Sequence, residues 1–124
     1  MNRRQWNKRY AGKERLWKPT LHPVIEEVAR TLPVGRALDL AAGEGRNALP
    51  LAEAGWNVTA VDFADVAVKR GKALADERGI AIDWRVADLT RYAPERERFD
   101  LVFACFLHLP WPEMRRVLFT ANEA

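Results

Sequence analysis

The chain has 124 residues, 48% hydrophobic and 30% charged, which is the composition of one domain large enough to bury a core. No apolar run approaches the roughly 20 residues that span a bilayer, and the basic opening, residues 1–6, leads into no apolar stretch that would direct secretion. The lone cysteine, Cys105, excludes an internal disulfide framework and a cysteine-built zinc site, in keeping with a reducing cytoplasm.

The net charge of +3 is unevenly spread. Residues 1–20 carry seven basic side chains and one acid, net +6, against 13 basic and 16 acidic side chains, net −3, in the remainder. The division is therefore a basic N-terminal arm or lid, 1–20, and an α/β domain, 21–124. An arm of this charge either meets nucleic acid or an anionic ligand, or is simply solvated.

Residues 23–29 read as a short helix with Pro23 in its first turn, ended by Pro33 and Gly35. Ala37-Leu38-Asp39-Leu40 is a short apolar strand, followed by the loop Ala41-Ala42-Gly43-Glu44-Gly45. In 46–54, Ala48, Leu49, Leu51 and Ala52 recur with helical spacing before Gly55. Val58-Thr59-Ala60-Val61 is a β-branched strand closed by Asp62. Residues 64–78 are helical, with Val66, Arg70, Ala73 and Leu74 in the expected rows. Ile80, Ile82, Trp84 and Val86 alternate with Ala81, Asp83 and Arg85, a third strand with one apolar face. A polar loop, 90–98, leads into 99–105, apolar enough for a strand buried on both faces. Pro112 then opens a last helix to residue 122.

Alternating strands and helices predict right-handed parallel crossovers and an open α/β sheet. Ligands in such sheets sit outside the carboxyl ends of the strands, at the switch point. The four strand ends carry Asp39 through Gly45, Asp62, Asp88, and Ala104 through His108.

Gly43-Glu44-Gly45-Arg46-Asn47-Ala48 fits G-x-G-x-x-[GA] between a strand and a helix. Asp62 closes the second strand where a carboxylate accepts both hydroxyls of a ribose; capping the helix from Ala64 is the bland role, and the two are compatible. Asp39 decides between ligands. With Glu44, it would repel a pyrophosphate by about 4 kcal/mol per pair of charges about 4 Å apart at an effective dielectric near 20. The same carboxylates favour a ligand with an ammonium, a sulfonium and no phosphate. The bland reading of Asp39 is a partner for a loop N–H or a nearby arginine.

The segment 37–47 resembles motif I of class I S-adenosylmethionine-dependent methyltransferases, and 58–64, Val86-Ala87-Asp88-Leu89 and Phe99-Asp100-Leu101-Val102 resemble the next three motifs in register. Trp6-Asn7-Lys8-Arg9-Tyr10 and Gly45-Arg46-Asn47 are similar to the branch containing thiopurine and tellurite-resistance methyltransferases. The resemblance implies the first four strands of a Rossmann-like, mainly parallel sheet flanked by helices. It implies S-adenosyl-L-methionine as donor and S-adenosyl-L-homocysteine as product. Asp39, Ala41, Gly43, Gly45, Arg46 and Asn47 would form the glycine-loop side of the donor site. Asp62 would bind ribose, Phe63 and Leu89 would lie by the adenine, Asp88 would accept from its amino group, and Ala104 would border the methyl end. Trp6 and Tyr10 would fold over the donor as a lid, with Arg9 near its carboxylate.

Two departures stand out. Ala41 replaces the commoner first glycine, which is tolerable if its φ is negative. The family sheet continues past a fourth strand, whereas this sequence stops after the helix that follows it. The expectation is either a piece of a longer chain, or self-association along the fourth strand, which lacks lysine and proline.

Methyl transfer from a sulfonium is an in-line displacement with a built-in leaving group. Alignment supplies up to roughly 7–11 kcal/mol, and neither a metal nor a covalent intermediate is needed. Only an acceptor with a tightly held proton needs a base; His108 is the candidate, against a plain surface or helix-start histidine. His22 beside Pro23 reads as structural, Cys105 as a small buried hydrophobe, and Phe63, Phe106 and Trp111 as pocket lining or core. Enzymes that methylate base amino groups resemble one another in an [ND]-P-P-[YFW] segment after the fourth strand. Ala104-Cys105-Phe106-Leu107 lacks it, which favours a small-molecule acceptor over nucleic acid. Two alternatives stay open: a non-catalytic, truncated S-adenosylmethionine-binding domain, and an NAD(P)-binding oxidoreductase domain, the latter opposed by Asp39 and Asp88.

Overall fold

The structure is a computed structural model that describes residues 2–11, 21–93 and 98–105, apart from the side chains of Arg9 and Tyr10. The expected last helix, His108, Phe106 and Trp111 lie outside the described residues. The short β-branched and apolar runs form β1 (Arg36–Leu40), β2 (Asn57–Asp62), β3 (Asp83–Val86) and β4 (Leu101–Ala104). The helices are α1 (Arg3–Tyr10), α2 (Pro23–Arg30), α3 (Ala48–Glu53) and α4 (Asp65–Glu77). Among the described residues no helix is long and apolar enough to cross a membrane.

All strands run parallel, in the order β3-β2-β1-β4. The chain steps outward from β1 to β3 and then returns to the other side of β1, so the switch point falls between β1 and β4. Leu40 lies opposite Val61 and Ala104, and Asp62 opposite Val86, which brings the four strand ends level. Alternation divides the core. Ala37, Val58, Ala60 and Leu101 pack with α2 and α3 residues Ile25, Ala48 and Leu51 on one face; Leu38, Leu40, Val61 and Leu89 pack on the other. At one level of the first face, Phe103, Asp39, Ala60 and Trp84 are successive register partners across the sheet. A carboxylate therefore stands in an otherwise apolar row.

Three sequence expectations need correction. The third strand is shorter than 80–86, and Val86 is 48% exposed, because β3 is an outer strand of the described sheet. Of the fourth strand only Leu101 is buried; Val102 and Phe103 are half-buried and Ala104 is exposed, since β4 pairs with β1 along one side. On α4 the buried stripe is Ala67, Val68, Gly71 and Ala75, one position from the rows expected. Small side chains face the sheet because helix and sheet meet closely there. A Cβ on Gly71 would collide with the Trp84 ring and lie 2.9 Å from the Glu44 carbonyl oxygen.

The basic arm is not free at its start. Asn2 and Gln5 form a capping box, and α1 lies against α4, with Trp6 packed on Ala64 and Ala67.

Candidate functional site

The glycine loop leaves β1 by a turn in which Ala41, Gly43 and Gly45 take φ of 72°, 58° and 88°. Ala41 is thus left-handed, contrary to the expected negative φ. Its N–H and that of Ala42 both donate to the Val61 carbonyl at 2.9 Å, and these bonds hold the strained turn against β2. The left-handed region costs an L-residue about 1–2 kcal/mol, while glycine's extra unfolded-state freedom takes back part of any gain. Ala41→Gly is therefore expected to stabilise the chain by about 0.5–1 kcal/mol, seen as a higher midpoint in scanning calorimetry. A lower midpoint would show that Ala41 is unstrained.

Asp39 is 1% exposed, and neither carboxylate oxygen has a hydrogen-bond partner among the described residues. Burial, and then the charge of Asp62, push its pKa well above the usual carboxylate value. The bland reading, a loop N–H or an arginine as partner, does not hold. Asp62, 7% exposed, is by contrast well bonded: Oδ2 accepts from the Gly43 N–H and Oδ1 from the Ala64 N–H, each at 2.9 Å. Burial raises its pKa, and the nearby backbone N–H groups of Ala64, Gly43 and Phe63 oppose that. It ties the glycine loop to the start of α4, and about two of its four lone-pair sites stay open.

Glu44 does not join Asp39. It is fully buried and ion-paired with Arg70 of α4, Oε2 to Nη1 at 3.4 Å. Gly45 is also turned inward. A Cβ there would lie 2.8 Å from the Trp84 ring and 3.1 Å from Leu49 Cγ, so Gly45→Val damages folding before it tests a ligand. Asn47 Oδ1 accepts the His22 N–H at 2.8 Å, and His22 Nδ1 accepts from Val24 as the cap of α2, which is the structural role expected of His22. The Asn47 side chain also lies near the half-buried Cys105 thiol. Burial first raises that thiol's pKa and Asn47 helps lower it; Asp39 adds to the rise while Arg46, a basic neighbour not foreseen, opposes it. Asp39, Arg46, Asn47 and Cys105 thus gather between the ends of β1 and β4.

Across the sheet, Phe63 is half-buried and packs, like Trp6, against Ala64 and Ala67. Leu89 is buried against Leu38, Leu40 and Val61. Asp88 is exposed: Oδ1 accepts from the Thr90 N–H at 2.9 Å and hydroxyl at 2.7 Å, and these bonds lower its pKa, helped by Arg91 and Arg3. Asp62, Phe63, Asp88 and Leu89 thus lie at or just beyond the ends of β2 and β3.

A model of the methyltransferase domain family matches residues 37–124. The chain belongs to that family. It is 33% identical over 103 residues, 83% of its length, to an uncharacterized protein of Mycobacterium tuberculosis, and spans 36% of that relative. A structure from a study of the conversion of a disulfide bond into a thioacetal group during echinomycin biosynthesis superposes with a TM-score of 0.84 at 27% identity, covering 98% of this chain and 55% of the other. The magnesium protoporphyrin IX methyltransferase of Synechocystis, solved with bound SAM, gives 0.69 at 23% identity, covering 82% of this chain and 51% of that one. The chain thus spans between 36% and 55% of the length of these three proteins.

Sequence reasoning about this methyltransferase domain missed Arg70, Gly71, Trp84 and the role of Asn7. One signal was readable: a thirteen-residue helix begins behind Ala64, which has no capping side chain, so another segment must supply the cap.

Proposed function

We propose that the crevice holds S-adenosylmethionine and that the whole protein transfers its methyl group to a small-molecule acceptor. The observation that carries this reading is Asp39: a buried carboxylate with two unpartnered oxygens beside a glycine loop at the switch point of a parallel sheet. A buried, unpaired carboxylate calls for a cation. The donor's ammonium answers it, and a pyrophosphate does not. Bound there, the donor supplies a methyl group already activated on a sulfonium.

The chain's own residues would divide the remaining work. Asp62 accepts the ribose hydroxyls on its open lone pairs, and its bonds to Gly43 and Ala64 keep the carboxylate oriented. Phe63 offers a face to the adenine, and Asp88, whose Oδ2 makes no bond among the described residues, accepts from the amino group. The loop from Ala41 to Asn47 sets the depth of the site. Fixed positions of this kind lower the barrier through alignment. The tetrapeptide after β4 supports a small-molecule acceptor, and His108 is the proposed base where the acceptor holds its proton tightly. Trp6-Asn7-Lys8-Arg9-Tyr10 and Gly45-Arg46-Asn47 support a place near the thiopurine and tellurite-resistance branch.

Titration calorimetry with S-adenosylhomocysteine and with NAD tests the reading; binding of NAD alone would overturn it. Asp62→Ala sharpens the test. It leaves buried N–H groups of Gly43 and Ala64 unpartnered, so stability falls by about 1–3 kcal/mol, and it removes charge-assisted ribose bonds of about 1.5–3 kcal/mol. Comparing S-adenosylhomocysteine with its 2′,3′-dideoxy analogue separates the two effects. Wild type should discriminate between them and Asp62→Ala should not. Equal discrimination by both proteins would remove Asp62 from the ribose site.

A further inference from the structure

We propose that Asn7 and Arg3 of α1 are positioning residues for the nucleoside half of the site, acting through a helix cap supplied in trans. This rests on the donor reading above. The N-cap residue of α4 is Ala64, which has no side chain to satisfy the first free N–H groups of the helix. Asn7 does so from 59 residues away: its Oδ1 accepts the Val66 N–H at 3.2 Å, and its Nδ2 donates to Asp65 Oδ1 at 2.5 Å. One turn earlier on α1, Arg3 Nε donates to the Phe63 carbonyl at 2.7 Å. Trp6, between them, packs on the pair Ala64 and Ala67, against which Phe63 also packs. Every residue of the β2–α4 connection from Phe63 to Val66 is thereby gripped by α1.

That connection starts at Asp62 and carries Phe63. The Asp62 side chain fixes its inner edge to the glycine loop, and α1 fixes its outer edge. Arg3 also sits near enough to Asp88 for its charge to help lower that carboxylate's pKa, so α1 reaches the ends of both β2 and β3. Whatever orders Phe63 orders α1, and the reverse holds by linkage. Loss of one cap, at its usual weight, corresponds to about a fivefold change in an equilibrium constant.

The test compares wild type, Asn7→Ala and Ile25→Val, the last a core change far from α1 chosen to lower the thermal midpoint comparably. Amide exchange of Val66 without ligand should quicken in Asn7→Ala and stay unchanged in Ile25→Val. The dissociation constant for S-adenosylhomocysteine should rise about fivefold in Asn7→Ala and not in Ile25→Val. In wild type the ligand should slow exchange across residues 3–10, and this protection should shrink in Asn7→Ala. A purely structural Asn7 would lower the midpoint and leave the dissociation constant equal to that of Ile25→Val, which overturns the proposal. Unchanged Val66 exchange in Asn7→Ala would overturn the trans cap itself. Failure of wild type to bind S-adenosylhomocysteine would overturn the donor reading and the positioning role with it, while the Val66 result reports on the cap independently.

Discussion

Asp39→Asn is expected to make the ligand-free protein more stable while weakening S-adenosylhomocysteine binding about tenfold to 100-fold, the range of a lost charge-assisted contact. Both effects come from one group. The carboxylate is buried, without a hydrogen bond, and its pKa is raised first by burial and then by Asp62. The folded chain therefore holds this proton more tightly than the unfolded chain, whose aspartate titrates near 4. As pH climbs from that value through the raised one, the unfolded state loses its proton first, and Asp39 lowers stability by up to about 1.4 kcal/mol per pH unit. Asparagine has no such dependence. Thermal midpoints measured from pH 5 to pH 8 should show the variant gaining on wild type as pH rises. A gap that stays constant, or closes, would mean that Asp39 is already paired.

Gly71→Ala should lower stability by about 1–2 kcal/mol, although the same change inside an ordinary helix raises it by about 1. Helix propensity favours alanine at this position, and packing decides against it. The new methyl group would strike the Trp84 ring and the Glu44 carbonyl oxygen, and the second of these is loop backbone that cannot rotate away. Glu44 is also held by Arg70, so the displacement reaches the turn between Gly43 and Gly45. Chemical denaturation and S-adenosylhomocysteine titration should both register the change. A variant as stable as wild type would show that α4 stands further from the loop.

The parallel sheet and its strand ends were legible because β-branched runs, glycine stops and carboxylates recur in one order along the chain. Asp39 and Asp62 were legible for the same reason: each is a lone charge at the end of an apolar strand. Inward-facing contacts were not. Nothing in a glycine pattern reveals that Gly45 and Gly71 meet the same indole, because Trp84 comes from β3, thirteen positions beyond one and thirty-nine beyond the other. Glu44 read as a site acid because the loop does; only the position of Arg70 on α4 shows that it turns away. The conformation of Ala41 was missed through the opposite error. An L-residue was assumed to avoid positive φ, and two hydrogen bonds to Val61 outweighed that preference.

Trp84 constrains the order in which this sequence can change over generations. Its ring occupies the space that a side chain at 71 would need, so an alanine arising there first is selected against. A smaller residue at 84 must come first, and it leaves a cavity under α4 until 71 fills it. Each single step is disfavoured, and the pair together still needs the Glu44 carbonyl to give way, so the epistasis couples 71 and 84 to the glycine loop as well as to each other. Lineages sharing this helix–strand contact should therefore keep glycine at 71 with a large aromatic at 84, and a bulkier 71 should appear only where 84 is small and the glycine loop has also changed.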